Sequence, residues 1–286
     1  MSDIVLKSYA KVNLFLKVGK KLRSKKLHNI QSIVFLINLS DKIIIKKINS
    51  FRDTLKFVGK FNKNVNKSNN SINRSLFLLR KRGFLDKQTN YRITVKKNIP
   101  VFAGLGGGSS NAASIIKFFL KRKKISEKNI NYFSNFLGSD LRLFFRYKKI
   151  FQKNLLTTKD FKANYKFYFV LVYPFLKSST KQIYSKLNKF EVIRNKNNYM
   201  KNSRHKFIDT LRLEKNCLEK IVVSKFPVVK KILQELELIK NCQFSRVTGS
   251  GSACFGLFLN KRDATLALRQ IKRKFPKFWC VLCKTI

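Results

Sequence analysis

Ile99 to Ala113 reads Ile-Pro-Val-Phe-Ala-Gly-Leu-Gly-Gly-Gly-Ser-Ser-Asn-Ala-Ala, a run of small residues. Gly104, Gly106, Gly107 and Gly108 let the backbone turn tightly and bring its N–H groups close to a ligand, with no Cβ in the way. Ser109, Ser110 and Asn111 supply capping oxygens. Ala112, Ile115, Ile116, Phe119 and Leu120 recur at helical spacing, so a helix is predicted where the glycines end. Its positive N-terminus faces the same space. Upstream, Tyr91 to Val95 alternates as a strand does, and Pro100 ends pairing beyond it. Strand, glycine loop and helix in this order suit a phosphate group.

Spacing separates the phosphate loops that share this outline. A dinucleotide fingerprint needs a glycine where Ser109 stands, and a Walker loop needs a lysine that the stretch lacks. A protein-kinase loop requires catalytic-loop and metal-binding tripeptides downstream, and none occurs.

Working outward, 286 residues suggest about two domains and a sizeable core. The five cysteines have no framework spacing and fit a reducing, cytoplasmic setting; Cys280-x-x-Cys283 has no second pair and reads as strand, not as half a zinc site. Met1 to Tyr9 lacks the apolar core of a signal peptide. Phe167 to Leu176 is too short to span a bilayer, so no membrane partner is expected. The formal charge of +49 would ordinarily suggest nucleic acid. Here the excess is mostly lysine, spread from end to end among Asn, Ile and Phe, residues that share A/T-rich codons. Compositional drift accounts for it without a specific nucleic-acid partner, leaving only weak, salt-sensitive RNA binding to be expected.

Ser8 to Leu16 alternates as a strand, with Ala10, Val12, Leu14 and Leu16 on one face and Lys11, Asn13 and Phe15 on the other. On pattern alone Lys11 belongs to a solvated strand face, and His28 is a surface or core histidine. Ser32 to Leu39 and Lys42 to Ile48 read as two strands joined by a turn at Ser40-Asp41. Gly59 to Asn70 reads as loop, and Asn70-Ser71-Ile72 opens a helix through Leu79 with Ile72, Leu76 and Leu79 inward.

Glu127 to Phe136 is a helix ending at Gly138, followed by Ser139-Asp140. Only 14 residues are acidic, and Asp140 is the best-placed carboxylate, although Asp beside Gly and Ser ordinarily serves a turn. A domain boundary is placed near 159–163, giving domains 1–160 and 161–286, before the strand Phe167 to Tyr173. Thr180 and Tyr184 stand one helical turn apart. Lys186 to Lys206 is polar and uninformative. Asn216 leads into a helix carrying Ile221, Val222 and Val228 with Pro227 as an interruption, and Val229 to Leu238 forms another. Ser245 to Phe258 holds Thr248-Gly249-Ser250-Gly251-Ser252-Ala253, a turn running into a strand. A helix from Asp263 to Lys272 and a strand from Trp279 to Leu282 close the chain.

Ala10-Lys11-Val12-Asn13, Pro100-x-x-x-Gly-Leu-Gly-Gly-Gly-Ser-Ser with Leu-Gly-Ser-Asp after it, and Thr-Gly-Ser-Gly-Ser-Ala occur in the order of the three motifs of the GHMP kinases, a family of small-molecule kinases that the chain resembles over nearly its whole length. The resemblance implies a two-domain α+β fold, with an N-terminal α/β domain like ribosomal protein S5 domain 2 and a C-terminal ferredoxin-like domain. It implies ATP and Mg2+, and phosphoryl transfer to an alcohol. Leu-Gly-Ser-Asp matches the signature of one subgroup, and the combination of all these strings resembles the members whose acceptor is a cytidine diphosphate derivative of methylerythritol. By resemblance Asp140 accepts the proton of the acceptor hydroxyl, and Lys11 keeps that carboxylate ionised and stabilises charge at the γ-phosphate. Pro100, Val101, Phe102, Ala103, Gly104, Leu105, Gly106, Gly107, Gly108, Ser109 and Ser110 hold the ATP phosphates, and Asn70 falls where the family contacts adenine. Asn13, His28, Thr180, Tyr184, Gly249 and Ser250 match acceptor-binding positions, Tyr184 as a stacking ring. No metal ligand is assigned.

The chain departs from the family at Lys26-Leu27-His28, where an aromatic ring expected to stack on cytosine is replaced by Leu27. It departs again at Arg142, where proline is expected, and in Tyr147 to Thr157, where a Gly-x-Gly-Glu turn is missing. Another GHMP kinase with a different acceptor alcohol is the alternative enzyme. A basic nucleic-acid-binding protein on a decayed scaffold is the alternative class, against which the intact Lys11 and Asp140 argue.

Overall fold

The computed structural model describes residues 3–22, 27–121, 125–193, 199 and 203–286; Lys26 and parts of the polar 186–206 stretch lie outside these. In chain order the elements are β1 (Ile4–Lys21), β2 (His28–Ile48), β3 (Thr54–Val58), α1 (Ser71–Lys81), β4 (Asn90–Lys96), α2 (Gly107–Phe119), α3 (Glu127–Leu137), a 3-10 turn (Ser139–Phe144), β5 (Lys149–Gln152), β6 (Thr158–Asp160) and β7 (Tyr168–Tyr173). Then come α4 (Thr180–Ser185), α5 (Arg204–Leu213), α6 (Glu219–Lys225), α7 (Pro227–Glu237), β8 (Ser245–Val247), β9 (Cys254–Phe258), α8 (Lys261–Lys274) and β10 (Trp279–Lys284).

Contacts group the chain into two units, neither continuous in sequence. The first comprises Met1–Ala10, Leu39–Val101 and Gly106–Tyr147; the second comprises Lys11–Asn38, Phe102–Leu105 and Lys148–Ile286.

In the first unit Lys42–Ile48 of β2 pairs antiparallel with β4, and β3 pairs parallel with β4. The helices have legible starts. Asn70 caps α1, its side chain accepting from the N–H groups of Ile72 and Asn73 at 3.1 and 3.0 Å, and Ser126 caps α3. Gly138, at φ 112°, ends α3.

In the second unit Ser32–Phe35 of β2 pairs antiparallel with β5, and β5 with β6. Where the Gly-x-Gly-Glu turn is missing, Asn154 makes the β5–β6 turn by accepting from Leu156 and Thr157 N–H at 2.9 and 2.8 Å. A separate antiparallel sheet of order β10-β7-β9-β8 packs Val170, Val172, Cys254 and Phe258 against Val222, Val229, Ile232, Leu236, Ala264, Ala267 and Ile271 of α6, α7 and α8, as a ferredoxin-like domain requires. An aromatic cluster in this unit joins Phe35, Phe161, Phe207 and Phe167 in a closed ring of contacts. Cys280 and Cys283 are buried residues of β10.

Several expectations change. Ser40-Asp41 is no turn: β2 is one strand, because Asp41 is fully buried and its carboxylate pairs with Lys97 and accepts from Asn98 and Ile99 N–H at 2.7 and 2.8 Å. Helix α2 starts inside the glycine run at Gly107, capped by Gly106 in the left-handed region and by no side chain, so Ser109 to Asn111 are helical residues and not caps. Pro227 begins α7, where its missing N–H costs nothing, so Val228 belongs to that second helix. Strand β3, and helix α5, which begins at the end of the polar stretch and runs beyond it, carry no signal in the sequence reading. Both faces of β1 are buried from Ala10 to Leu16, including Lys11, Asn13 and Phe15.

Candidate active site

The predicted site residues fall into two groups, one in each unit. In the second unit Lys11 and Asn13 sit side by side on β1, 3% and 4% exposed, and Lys11 Nζ donates to Asn13 Oδ1. A lysine this buried on a strand face costs desolvation unless polar atoms surround it, so its place is a built feature. Asn13 is fixed twice more: its N–H donates to Thr248 Oγ1 at 3.1 Å, and its amide donates to Ser32 Oγ at 2.8 Å. Lys11 N–H donates to Leu105 O at 3.0 Å, bringing the 102–105 segment alongside.

Gly249, at φ +56°, completes the cluster. A Cβ there would stand 3.0 Å from Lys11 Nζ, 3.1 Å from Gly104 O and 3.4 Å from Asn13 Oδ1. The first motif, the front of the glycine loop and the third motif therefore converge within a few ångströms. Ala253 N–H to Ala103 O at 3.3 Å and Ser178 N–H to Phe102 O at 3.1 Å extend the join. Thr180 Oγ1 and Ser250 Oγ share a hydrogen bond of 2.9 Å, so these two acceptor-site candidates also meet. His28 and Tyr184 come together as rings, 5.8 Å between centroids.

The second unit also holds residues that the sequence reading missed. Asn216, 4% exposed, donates to Val247 O and Gly249 O at 2.8 and 2.7 Å and so fixes the third-motif turn. Ser178 Oγ donates to Ser250 O at 2.6 Å. Arg246 donates to the carbonyls of Leu14, Leu211 and Glu214 while its guanidinium lies 4.4 Å from the Phe244 ring centre, and burial pulls its pKa down to about 10. It braces β1 just beyond Asn13. Nothing in the pattern distinguished Arg246 from the many other basic residues.

In the first unit lie Pro100, Val101, Gly106 to Ser110, Asn70 and Asp140. The start of α2 has no side-chain cap and no acidic residue in its first turn, so its N–H groups and dipole are available to an anion. A Cβ on Gly108 would meet only an ordinary van der Waals contact, Ser71 Oγ at 3.8 Å. An uncapped helix start with room for oxygen atoms fits the phosphates of ATP. Ser71 Oγ donates to Gly108 O at 2.9 Å and Ser8 Oγ to Ser110 Oγ at 2.7 Å, which hold the turn from two sides. Asn70, next to that tie, uses its side-chain oxygen for the α1 cap and its amide for Asn66 O and Lys67 O at 3.2 and 3.0 Å.

Asp140 is half-buried in the 3-10 turn after Gly138. Two tethers hold this turn. Arg142 Nη2 donates to Asn131 Oδ1 of α3 at 2.6 Å, and Lys117 Nζ of α2 donates to Phe144 O at 3.0 Å. Arg142 is 5% exposed, and burial lowers its pKa. A side-chain tether thus stands where the family has a ring-locked proline.

The chain matches the model of the GHMP kinase N-terminal domain over residues 70–138 and that of the C-terminal domain over 199–277. A Pelagibacter ubique protein named 4-diphosphocytidyl-2-C-methyl-D-erythritol kinase is 37% identical, covering 100% of both chains. A Thermodesulfovibrio yellowstonii protein of the same name is 31% identical over 99% of this chain and 98% of its own. A crystal structure of 4-(cytidine 5'-diphospho)-2C-methyl-D-erythritol kinase superposes with a TM-score of 0.68 at 23% identity, covering 98% and 99% of the two chains. Homoserine kinase from Cytophaga hutchinsonii reaches 0.74 at 13% identity, covering 100% and 95%, so the fold is common to kinases with different names. Three motifs in order, two domain models and full-length identity to curated relatives agree: the chain belongs to the GHMP kinases and, within them, to the 4-diphosphocytidyl-2-C-methyl-D-erythritol kinase family.

Proposed function

We propose that this protein transfers the γ-phosphoryl group of ATP to the 2-hydroxyl of 4-diphosphocytidyl-2-C-methyl-D-erythritol, giving the 2-phosphate and ADP, as a step in non-mevalonate isoprenoid precursor biosynthesis. The observation that carries the reading is the full-length identity to the Pelagibacter ubique kinase, with the Lys11, Asn13 and Gly249 cluster as its geometric support.

Phosphoryl transfer needs positioning, charge stabilisation and a destination for one proton. Asp140 takes the proton of the acceptor hydroxyl. The freed oxygen attacks the γ-phosphorus, and the bond from that phosphorus to the bridging oxygen breaks, leaving ADP. Lys11 stabilises the charge that develops on the transferring group, its position fixed by Asn13. The first turn of α2, with Gly106 to Ser110, holds the phosphates through backbone N–H groups. Mg2+ neutralises phosphate charge when bound with ATP. Pro100 to Leu105 lead into this cradle, and Asn70 meets the adenine end. Thr180, Ser250, Gly249 and Asn13 take the diphosphate and alcohol end of the acceptor, while His28 and Tyr184 take the cytosine. The division into domains 1–160 and 161–286 is part of the proposal, as is the cytoplasmic setting, which the five free thiols suit.

ADP release with ATP, Mg2+ and the cytidine acceptor tests the reading. Asp140→Asn is expected to lower kcat by roughly 10³-fold with ATP binding retained. Wild-type turnover of another alcohol but not of the cytidine compound would move the assignment to a different acceptor.

A further inference from the structure

Leu27, which stands where the family carries an aromatic ring, is 48% exposed and offers no face for a base. Another ring is nevertheless close to His28. The Phe190 phenyl stacks on the His28 imidazole, with centroids 5.2 Å apart and planes 21° apart, and Tyr184 meets the same imidazole at 5.8 Å and 37°. All three rings belong to the second unit.

The segment that carries Phe190 has no regular secondary structure and is nonetheless fastened. Glu191 N–H donates to Val18 O at 2.8 Å. At the next residue of β1, Gly19, a Cβ would lie 3.3 Å from Glu191 O and 3.3 Å from Ile193 Cδ1, so the missing side chain is what admits the segment. The Gly19 carbonyl lies 3.0 Å from His28 Nδ1. A carbonyl can only accept, so Nδ1 carries the proton, and a neutral ring then presents Nε2 as an acceptor. Gly19 therefore anchors the imidazole with its carbonyl and makes room for the ring that stacks on it. Phe190 remains 39% exposed although it is stacked, so part of a large apolar ring faces solvent beside a polarised imidazole.

We propose that Phe190 is a positioning residue for the nucleobase of the acceptor. Acting through His28, its phenyl fixes the imidazole plane so that Nε2 meets the edge of the base. This rests on the cytidine reading of the acceptor given above.

Steady-state kinetics of the full chain with ATP, Mg2+ and the cytidine acceptor provide the test. For Phe190→Ala the acceptor KM rises roughly tenfold while kcat and the ATP KM stay within about twofold, the pattern of lost ground-state binding. Phe190→Tyr restores the KM, because a ring of the same size stacks in the same place. Without any substrate, NMR of the His28 ring protons shows an upfield ring-current shift that Phe190→Ala reduces, leaving the part due to Tyr184. An unchanged acceptor KM in the alanine variant overturns the proposal. So does a joint fall in kcat and rise in ATP KM that tyrosine does not rescue, which marks a structural residue. A wild-type enzyme that ignores the cytidine acceptor and phosphorylates another alcohol overturns the cytidine reading and this proposal with it. A wild type that uses the cytidine acceptor, with a variant of equal KM, overturns only the proposal.

Discussion

Gly104 and Gly108 stand four residues apart in one stretch of sequence, and their surroundings differ completely. A Cβ on Gly104, at φ +76°, would be 2.0 Å from Thr248 O, a backbone atom with nowhere to go. A Cβ on Gly108 would meet nothing nearer than Ser71 Oγ at 3.8 Å. At Gly104 the protein itself fills the space, and the residue is glycine so that two backbone segments can touch. At Gly108, at the uncapped start of a helix, a Cβ would meet only an ordinary van der Waals contact, so the protein's own packing does not demand glycine there, and under the proposed function the phosphates of ATP do. One composition answers to backbone packing in one unit and, on the proposed function, to ligand access in the other.

Substitutions can break this contrast. Gly104→Ala combines a steric clash with a left-handed backbone and is expected to cost about 3 kcal/mol or more, read as a lower urea midpoint. Gly108→Ala is expected to leave stability unchanged or raise it by a few tenths of a kcal/mol, since alanine is the better helix residue, while the ATP KM rises about tenfold. Equal stability losses at the two positions would remove the distinction.

A smaller effect sharpens the packed side. A Cβ on Gly256 would lie 3.2 Å from Cys242 Sγ, and burial pushes the Cys242 and Cys283 thiols up to about 12 and Cys280 up to about 11. In the unfolded chain these thiols ionise near their ordinary value of about 8.5, so above it the unfolded state binds fewer protons than the folded one. Stability is then full below about pH 8.5 and falls as pH rises toward the folded values. Urea midpoints from neutral pH to pH 10 check the decline, and replacing the three cysteines with alanine makes it shallower, the remainder coming from Cys254 and Cys217, whose thiols burial also pushes up.

Local rules located much of this molecule because they act over a few residues. The Asn70 cap, the Gly138 stop, the alternation of β1 and the hydroxyl-rich turn before β9 each follow from chemistry within one turn or strand. The failures came where a distant partner overrode the local signal. Ser40-Asp41 has turn composition, yet Asp41 is committed to Lys97 and to the N–H groups leading into the glycine loop, and the strand runs straight through. Lys11 has the composition of a solvated face, yet it is buried against Asn13 and Gly249. Arg142 breaks the family pattern, and its tether to Asn131 supplies the restraint that a proline ring would give.

The sequence by itself determined the family, the order of the motifs and the residue types at the phosphate loop, because backbone freedom, capping and charge are properties of neighbouring residues. Only the tertiary structure decided which glycines are tightly packed and which are not, which lysines are buried, and that Phe190 stacks on His28. Those outcomes depend on atoms far apart in the chain arriving within a few ångströms of one another, and no spacing along one segment encodes that arrival.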